Sequence, residues 1–324
     1  MATTVGTTRT AGYKPGLAFF AALGAAWVFV LITLGAFTTS INAGMAFPDW
    51  PLSNGSLNPH GWLSNLAMFA EHSHRLSAGV MTTITLVLAI WLWRREARAW
   101  LRRLGAFAFG LVVVQAVVGG LRVLLEHRHI AGVETSVGRL FAMLHACLAQ
   151  LFVCTLLALA LACTRGWIER SLPVGPGVRR LGRICCALLF LQLAIAAVMR
   201  HSFAGLAIPS FPWAGPDHRL LPAVWSFKVG IHFAHRAMAV LLTVALLSFA
   251  GAIWCDPQAS LGLRTGASLL VGLLGLQVLL GAYIIWSYRD PGITTGHVLV
   301  GALTLATAFW LTWRAHRDPI ESPS

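Results

Sequence analysis

Charge is scarce in this chain. Charged residues make up 11% of its 324 residues, where a soluble domain carries roughly a quarter. Acids are scarcer still, with 11 Asp and Glu against 24 Lys and Arg. So little charge cannot cover the water-exposed surface of a soluble domain this long. CxxC spacing is also missing: Cys147, Cys154, Cys163, Cys185, Cys186 and Cys255 lie in or beside apolar runs. They read as small packing residues rather than a redox or metal set. No cleavable signal precedes the first apolar run, and the first sixteen residues are too poor in arginine for a transit peptide.

What the chain does have is long apolar runs. Hydrophobic residues make up 57% of it and the mean hydropathy is +0.73. The runs are about twenty residues long, the length that crosses a hydrocarbon core. Eight spans are predicted, at 17–38, 66–93, 104–124, 139–163, 181–200, 225–254, 266–287 and 293–313. The fold class is therefore an all-α membrane protein with eight transmembrane helices.

The net charge of +13 raises nucleic acid as a partner, and its distribution removes it. Arg94, Arg95, Arg98, Arg102 and Arg103 share one short loop, and Arg165, Arg170, Arg179, Arg180 and Arg183 another. Basic residues confined to alternate loops mark the cytoplasmic side. Both termini are then cytoplasmic, in what reads as a bacterial cytoplasmic membrane. The loops on the other side carry Pro, Gly and Trp, which suit a membrane–water interface.

Two of these outer loops reveal a duplication. Residues 43–51 (AGMAFPDWP) match residues 204–212 (AGLAIPSFP) at five of nine positions, an offset of 161. The same offset carries His74-Arg75 to His235-Arg236, and Gln115 pairs with Gln277 at an offset of 162. Each repeat holds four spans. An even number returns the chain to its starting side, so the expectation is two tandem four-helix bundles related by a pseudo-two-fold axis along the membrane normal. The division reads as a cytoplasmic tail at 1–16, a first bundle at 17–168, a cytoplasmic linker at 169–180, a second bundle at 181–316 and a second tail at 317–324.

Four histidines lie near the outer ends of spans, at repeat-related places: His74, His145, His235 and His297. Ionisable groups inside a membrane are costly and point to function. Two imidazoles from two helices of one bundle can fill both axial positions of a haem iron. The bland alternative is a hydrogen bond from each histidine to a neighbouring helix. A zinc site fits less well, since no third or fourth ligand accompanies each pair. Arg75 and Arg236 can reach a haem propionate or act as interfacial anchors.

The repeats differ where Glu71 in the first faces His232 in the second. A carboxylate one turn above His74 can act as a general base or stabilise developing positive charge. It can equally orient a ligating histidine. Gln115 and Gln277 read as bonds between helices, while Gly119, Gly120 and Gly281 admit a close neighbour or a flat ring. His60, His127, His129, His201, His218 and His316 read as solvated or without a particular role.

In this combination the chain resembles the haem A synthase family. The resemblance covers nearly the whole chain: eight spans, the four-span duplication, a histidine pair per half, and Glu71, His74 and Arg75 as Glu-x-x-His-Arg. The loop from Gly44 to Ser53 is also similar to the family's first outer loop. The resemblance implies oxidation of a ring methyl of haem O to the formyl group of haem A, through hydroxylated intermediates, for terminal oxidases. It implies that the first half takes haem O as substrate on His74 and His145, with Glu71 at the reacting methyl. It implies a haem b on His235 and His297 in the second half. Partners would be haem O, a haem O synthase that supplies it, an electron-transfer protein and membrane lipid, with self-association left open. One departure is Phe47 and Ser53, where many bacterial members carry a cysteine pair. Other functions compatible with the residues are a dihaem b-type electron carrier, and a haem transporter or chaperone that releases haem unchanged.

Overall fold

The computed structural model describes residues 12–132, 134–215 and 218–321. The first eleven residues of the expected N-terminal tail and the last three of the C-terminal tail lie outside the described residues. Eight helices are long and apolar enough to cross a membrane. They are α1 (Pro15–Ser40), α2 (Leu66–Arg95), α3 (Ala99–Leu124), α4 (Val137–Ala162), α6 (Pro176–His201), α7 (Phe227–Cys255), α8 (Leu261–Trp286) and α9 (Pro291–Ala315). Two short helices, α5 (Arg165–Glu169) and α10 (Arg317–Glu321), lie at the end opposite the long loops. This is an integral, all-α membrane protein.

Local chemistry explains where the helices start. Pro15, Pro176 and Pro291 sit in the first turns of α1, α6 and α9, where a missing N–H costs nothing. Asn65, Ser136, Ser226, Ser260 and Asp290 cap α2, α4, α7, α8 and α9 by accepting first-turn N–H bonds. Three helices begin earlier than the hydropathy suggests: α3 at Ala99, α6 at Pro176 and α8 at Leu261. Their first turns carry the arginines that a hydropathy window discards. Arginine is a good helix former and extends its head towards water.

In the first half α1 packs on α2, α2 on α3, α3 on α4 and α4 on α1, closing a four-helix ring. In the second half α6, α7, α8 and α9 close the same ring. The rings meet through α1 against α9 and α4 against α6. Exchanging the halves turns one of these contacts into the other, as a two-fold axis between the bundles requires. Each ring has its own apolar core. Leu88, Leu92, Leu101, Leu156 and Leu159 are fully buried in the first, and Leu246, Phe249, Ile253, Leu263 and Leu311 in the second. These residues lie at the α5/α10 end. The tightest packing is therefore away from the long loops and the histidines.

The α5/α10 end is tied across the halves. Glu96, just beyond α2, pairs with Arg98 at 3.0 Å and Lys14 at 3.7 Å. Arg98 also reaches Glu321 of α10 at 3.1 Å, and the Trp167 indole donates to that carboxylate at 2.5 Å. Burial works to raise the Glu96 carboxyl, but its Arg98 hydrogen bonds outweigh that and hold it below the usual range. Residues 317–321, expected as the start of a tail, thus form a docked helix.

Candidate functional site

His74, His145 and His235 each lie about two turns inside α2, α4 and α7, and His297 slightly less far inside α9. All four are at the long-loop end. The rings of His235 and His297 meet edge-on, inclined at 60°, with centroids 6.4 Å apart. Two imidazoles that share one metal ion, each nitrogen about 2 Å from it, have ring centres roughly 6 Å apart. In the first half His74 and His145 lie within each other's electrostatic reach.

Neighbouring residues hold each ring. His145 Nδ1 lies 3.1 Å from the Gln115 carbonyl oxygen, and the Gln115 amide donates back to the His145 carbonyl at 2.9 Å. A carbonyl only accepts, so the ring proton is on Nδ1 and the Nε2 lone pair is left for the pocket. In the second half the Gln277 amide lies 3.3 Å from His297 Nε2. Gly119 and its repeat partner Gly281 make room for these rings: an added Cβ would sit 3.1 Å from His145 Cε1 and 3.2 Å from His297 Cε1. Gly35 does the same for His74, at 2.8 Å.

His235 is held differently. The amide nitrogen of Gln192 on α6 lies 3.1 Å from its Nδ1 and donates to its carbonyl at 3.0 Å. The repeat counterpart of Gln192, 161 residues earlier, is Leu31. Sequence reasoning passed over Gln192, although the offset that pairs His74 with His235 also exposes this Leu-to-Gln difference.

The structure suits haem in three respects. In the second half the rings of His235 and His297 pair across helices at a separation one metal ion can bridge. His74 Nδ1 and His297 Nδ1 are buried without a hydrogen-bond partner, a cost that ligation with its accompanying tautomer choice can relieve. Among the described residues no group of three or more His, Cys, Asp or Glu converges. Paired ligands suit an iron whose other positions a porphyrin already fills.

Glu71 is 4% exposed, and both its oxygens are engaged. Oε1 accepts from Arg75 Nη2 at 2.5 Å and Oε2 from the Phe47 N–H at 3.2 Å. His232, its counterpart, has the same neighbours at the same places: Ile208 N lies 3.2 Å from Nδ1 and Arg236 Nε 3.2 Å from Nε2, and a neutral imidazole accepts from one of the two. Glu71 and His232 therefore perform the same mechanical task, pinning a long loop across the bundle end. They differ in charge. The arginines complete each latch. Arg75 donates to the carbonyls of Asp49 (2.7 Å) and Leu52 (2.5 Å), and Arg236 to those of Ile208 (3.0 Å) and Ser210 (2.7 Å). Their guanidinium N–H groups face loop backbone, as interfacial anchors do.

The first loop is pinned without a disulfide. Phe47 is fully buried and Ser53 is 1% exposed. His72 Nδ1 lies 3.0 Å from Ser53 Oγ, and its Nε2 is 3.1 Å from the Leu57 carbonyl. Asp49 accepts from the N–H groups of Asn54 and Gly55. Burial works to raise the Asp49 carboxyl, but these backbone bonds and Arg75 hold it below the usual range. Arg122 at the end of α3 donates to the Gly44 carbonyl.

Sequence reasoning also missed the seam between the bundles. His201, read as unremarkable, lies at the end of α6 within electrostatic reach of Arg200, Arg122, Arg139 and His145. No sequence signal marks it, because its neighbours outside α6 come from two other helices, α3 and α4.

A sequence model of the cytochrome oxidase assembly protein family matches residues 18–309. The chain is 26% identical to a haem A synthase of Bacillus licheniformis over 281 residues, covering 84% of this chain and 86% of that protein. It is 26% identical to the haem A synthase of Shouchella clausii, covering 88% and 90%. To that of Listeria monocytogenes it is 24% identical, covering 83% and 85%.

Proposed function

The chain belongs to the cytochrome oxidase assembly protein family, and from that premise we infer that it is a membrane-bound haem-modifying oxidoreductase that makes haem A. The reaction we assign is oxidation of a ring methyl of haem O to a formyl group by successive hydroxylations. The observation that carries this reading is the pair of matched histidine pockets of which one, the first, has the Glu71 carboxylate above it. The relatives that share this length of chain are named for haem A synthesis.

In this reading haem O is the substrate of the first half, on His74 and His145. A haem b is the resident cofactor of the second, on His235 and His297, and supplies electron transfer. The chain's own residues do the rest. Gln115 fixes the His145 tautomer so that Nε2 faces the pocket. Arg75 and Glu71 hold the first loop as a roof that keeps water from the pocket. Glu71, one turn above His74, offsets the positive charge that Arg75 would otherwise place near the reacting methyl, where positive charge develops. With the arginine-rich loops cytoplasmic, both termini lie inside and both pockets face the outer leaflet. A haem O-forming enzyme supplies the substrate and an electron-transfer partner takes the electrons.

The test is expression in cells supplied with haem O, followed by mass spectrometry of extracted haem. Haem A and its hydroxylated precursor are expected; a haem-loaded protein that yields neither would be an electron carrier or haem chaperone instead. One observation favours the dihaem carrier. Glu71 and His232 pin their loops alike, so the carboxylate has a structural use that needs no chemistry. Glu71→Gln with unchanged haem products would support that second reading.

A further inference from the structure

Arg200 ends α6 at the seam between the bundles. Its Nη2 donates to the Ala36 carbonyl and to Ser40 Oγ of α1, each at 3.0 Å, and Thr295 of α9 donates to the same Ser40 oxygen at 3.2 Å. Both its acceptors are neutral. The charged group that bears on it is another cation, Arg289, and the second pocket's His297 lies within its reach. The first half adds more positive charge along the same seam, with Arg122 and Arg139 converging on His201 beside it. Arg139 stacks over Phe203 of the second half at 5.0 Å. Of the nearby acids, Glu126 pairs through Oε1 with Arg139 at 3.4 Å, its Oε2 being buried without a hydrogen-bond partner, and Glu71 pairs with Arg75.

A half-buried guanidinium whose partners are neutral acceptors and another cation gains from an anion that joins it. Arg200 also falls outside the duplicated pattern, since Thr39 occupies its place in the first half. A porphyrin side chain offers a suitable anion: a propionate carboxylate matches the arginine fork. Arg75 and Arg236 have their N–H groups turned to loop carbonyls, so recruiting them would unpin the loops.

We propose that Arg200 binds a carboxylate at the seam between the bundles, the propionate of the porphyrin held by His235 and His297. This rests on the haem reading of the second pocket. The same fork would accept a lipid phosphate, so the test separates the two sources. The purified full chain is titrated with protohaem and with its dimethyl ester, which lacks both negative charges, and binding is followed at the Soret band. The wild type should prefer the free acid by about tenfold to a hundredfold, the worth of one charge-assisted hydrogen bond. Arg200→Met should lose most of that preference while binding the ester as the wild type does, and Arg200→Lys should keep part of it.

Equal binding of acid and ester by the wild type overturns the proposal without any variant having to fold. So does an Arg200→Met protein that still prefers the acid. Native mass spectrometry that finds an anionic phospholipid on the wild type and none on Arg200→Met, with no ester discrimination, assigns the site to lipid and overturns the porphyrin. If neither porphyrin binds, the haem reading itself fails.

Discussion

Replacing Glu71 by histidine gives the first half the group that the second half already uses at that place. Glu71 and His232 are both 4% exposed, and each sits against a loop N–H and an arginine. Glu71→Ala would remove the anion from a pair whose side chains are only 5% and 13% exposed. Stripping a buried guanidinium of its partner costs about 3–5 kcal/mol. Glu71→His keeps one acceptor, the single lone-pair nitrogen of a neutral imidazole, to share between the Phe47 N–H and Arg75, and gives up the charge-assisted bond, a loss of about 2–3 kcal/mol. The assay is thermal unfolding of the detergent-solubilised protein, with bound haem followed at the Soret band. The histidine variant should melt nearer the wild type than the alanine variant and should keep its haem. Haem extracted from cells expressing it should contain no haem A, because the roof is intact and the negative charge is gone. Equal destabilisation by the two substitutions would refute the shared latch. A histidine variant that makes haem A at the wild-type level would refute the assignment of the chemistry to the carboxylate.

Gln192→Leu gives the second half the residue that the first half has at the equivalent place. Removing an outer hydrogen-bond partner of a ligating histidine weakens binding about 10–100-fold, so haem retention by the second pocket should fall by that factor in a spectroscopic titration, with the fold intact by circular dichroism. At the other end, Glu96 has a depressed carboxyl pKa. The stability it contributes is present above its unfolded value and is lost as pH falls through the lower folded one. Acidification below about pH 4 should therefore release α10, seen as faster proteolysis at the C-terminus, and Glu96→Gln should flatten that acid limb.

Much of the fold was legible because a membrane imposes simple rules. Apolar runs, arginine-rich loops and one repeat offset suffice for eight helices in two rings. The duplication also brought His74 together with His235, and Gln115 with Gln277, before any coordinates. What stayed hidden depends on contacts between distant segments. Glu71 against His232 looked like chemistry present against chemistry absent; only the matching Phe47 and Ile208 N–H groups show that both side chains hold a loop. Arg200 and His201 sit at the end of an apolar run like many interfacial residues. Their surroundings come from α1, α3, α4 and α9, which no local pattern links. The early starts of α3, α6 and α8 were hidden by a scale that treats arginine as the end of a span rather than the beginning of a helix.

The first loop also bears on how such proteins diverge. Its grip is distributed over Glu71, Arg75, His72 and Ser53, with Phe47 filling the space beneath. Changing from this arrangement to a cysteine clasp at 47 and 53 takes two substitutions. The first of them brings a penalty without a reward, since trading a fully buried phenylalanine for a small side chain costs a few kcal/mol, roughly 3–5 in the alanine limit, while a lone thiol bonds to nothing. In this chain no cysteine lies in the first loop and all six are free thiols, so a reductant should leave the roof as stable as it was.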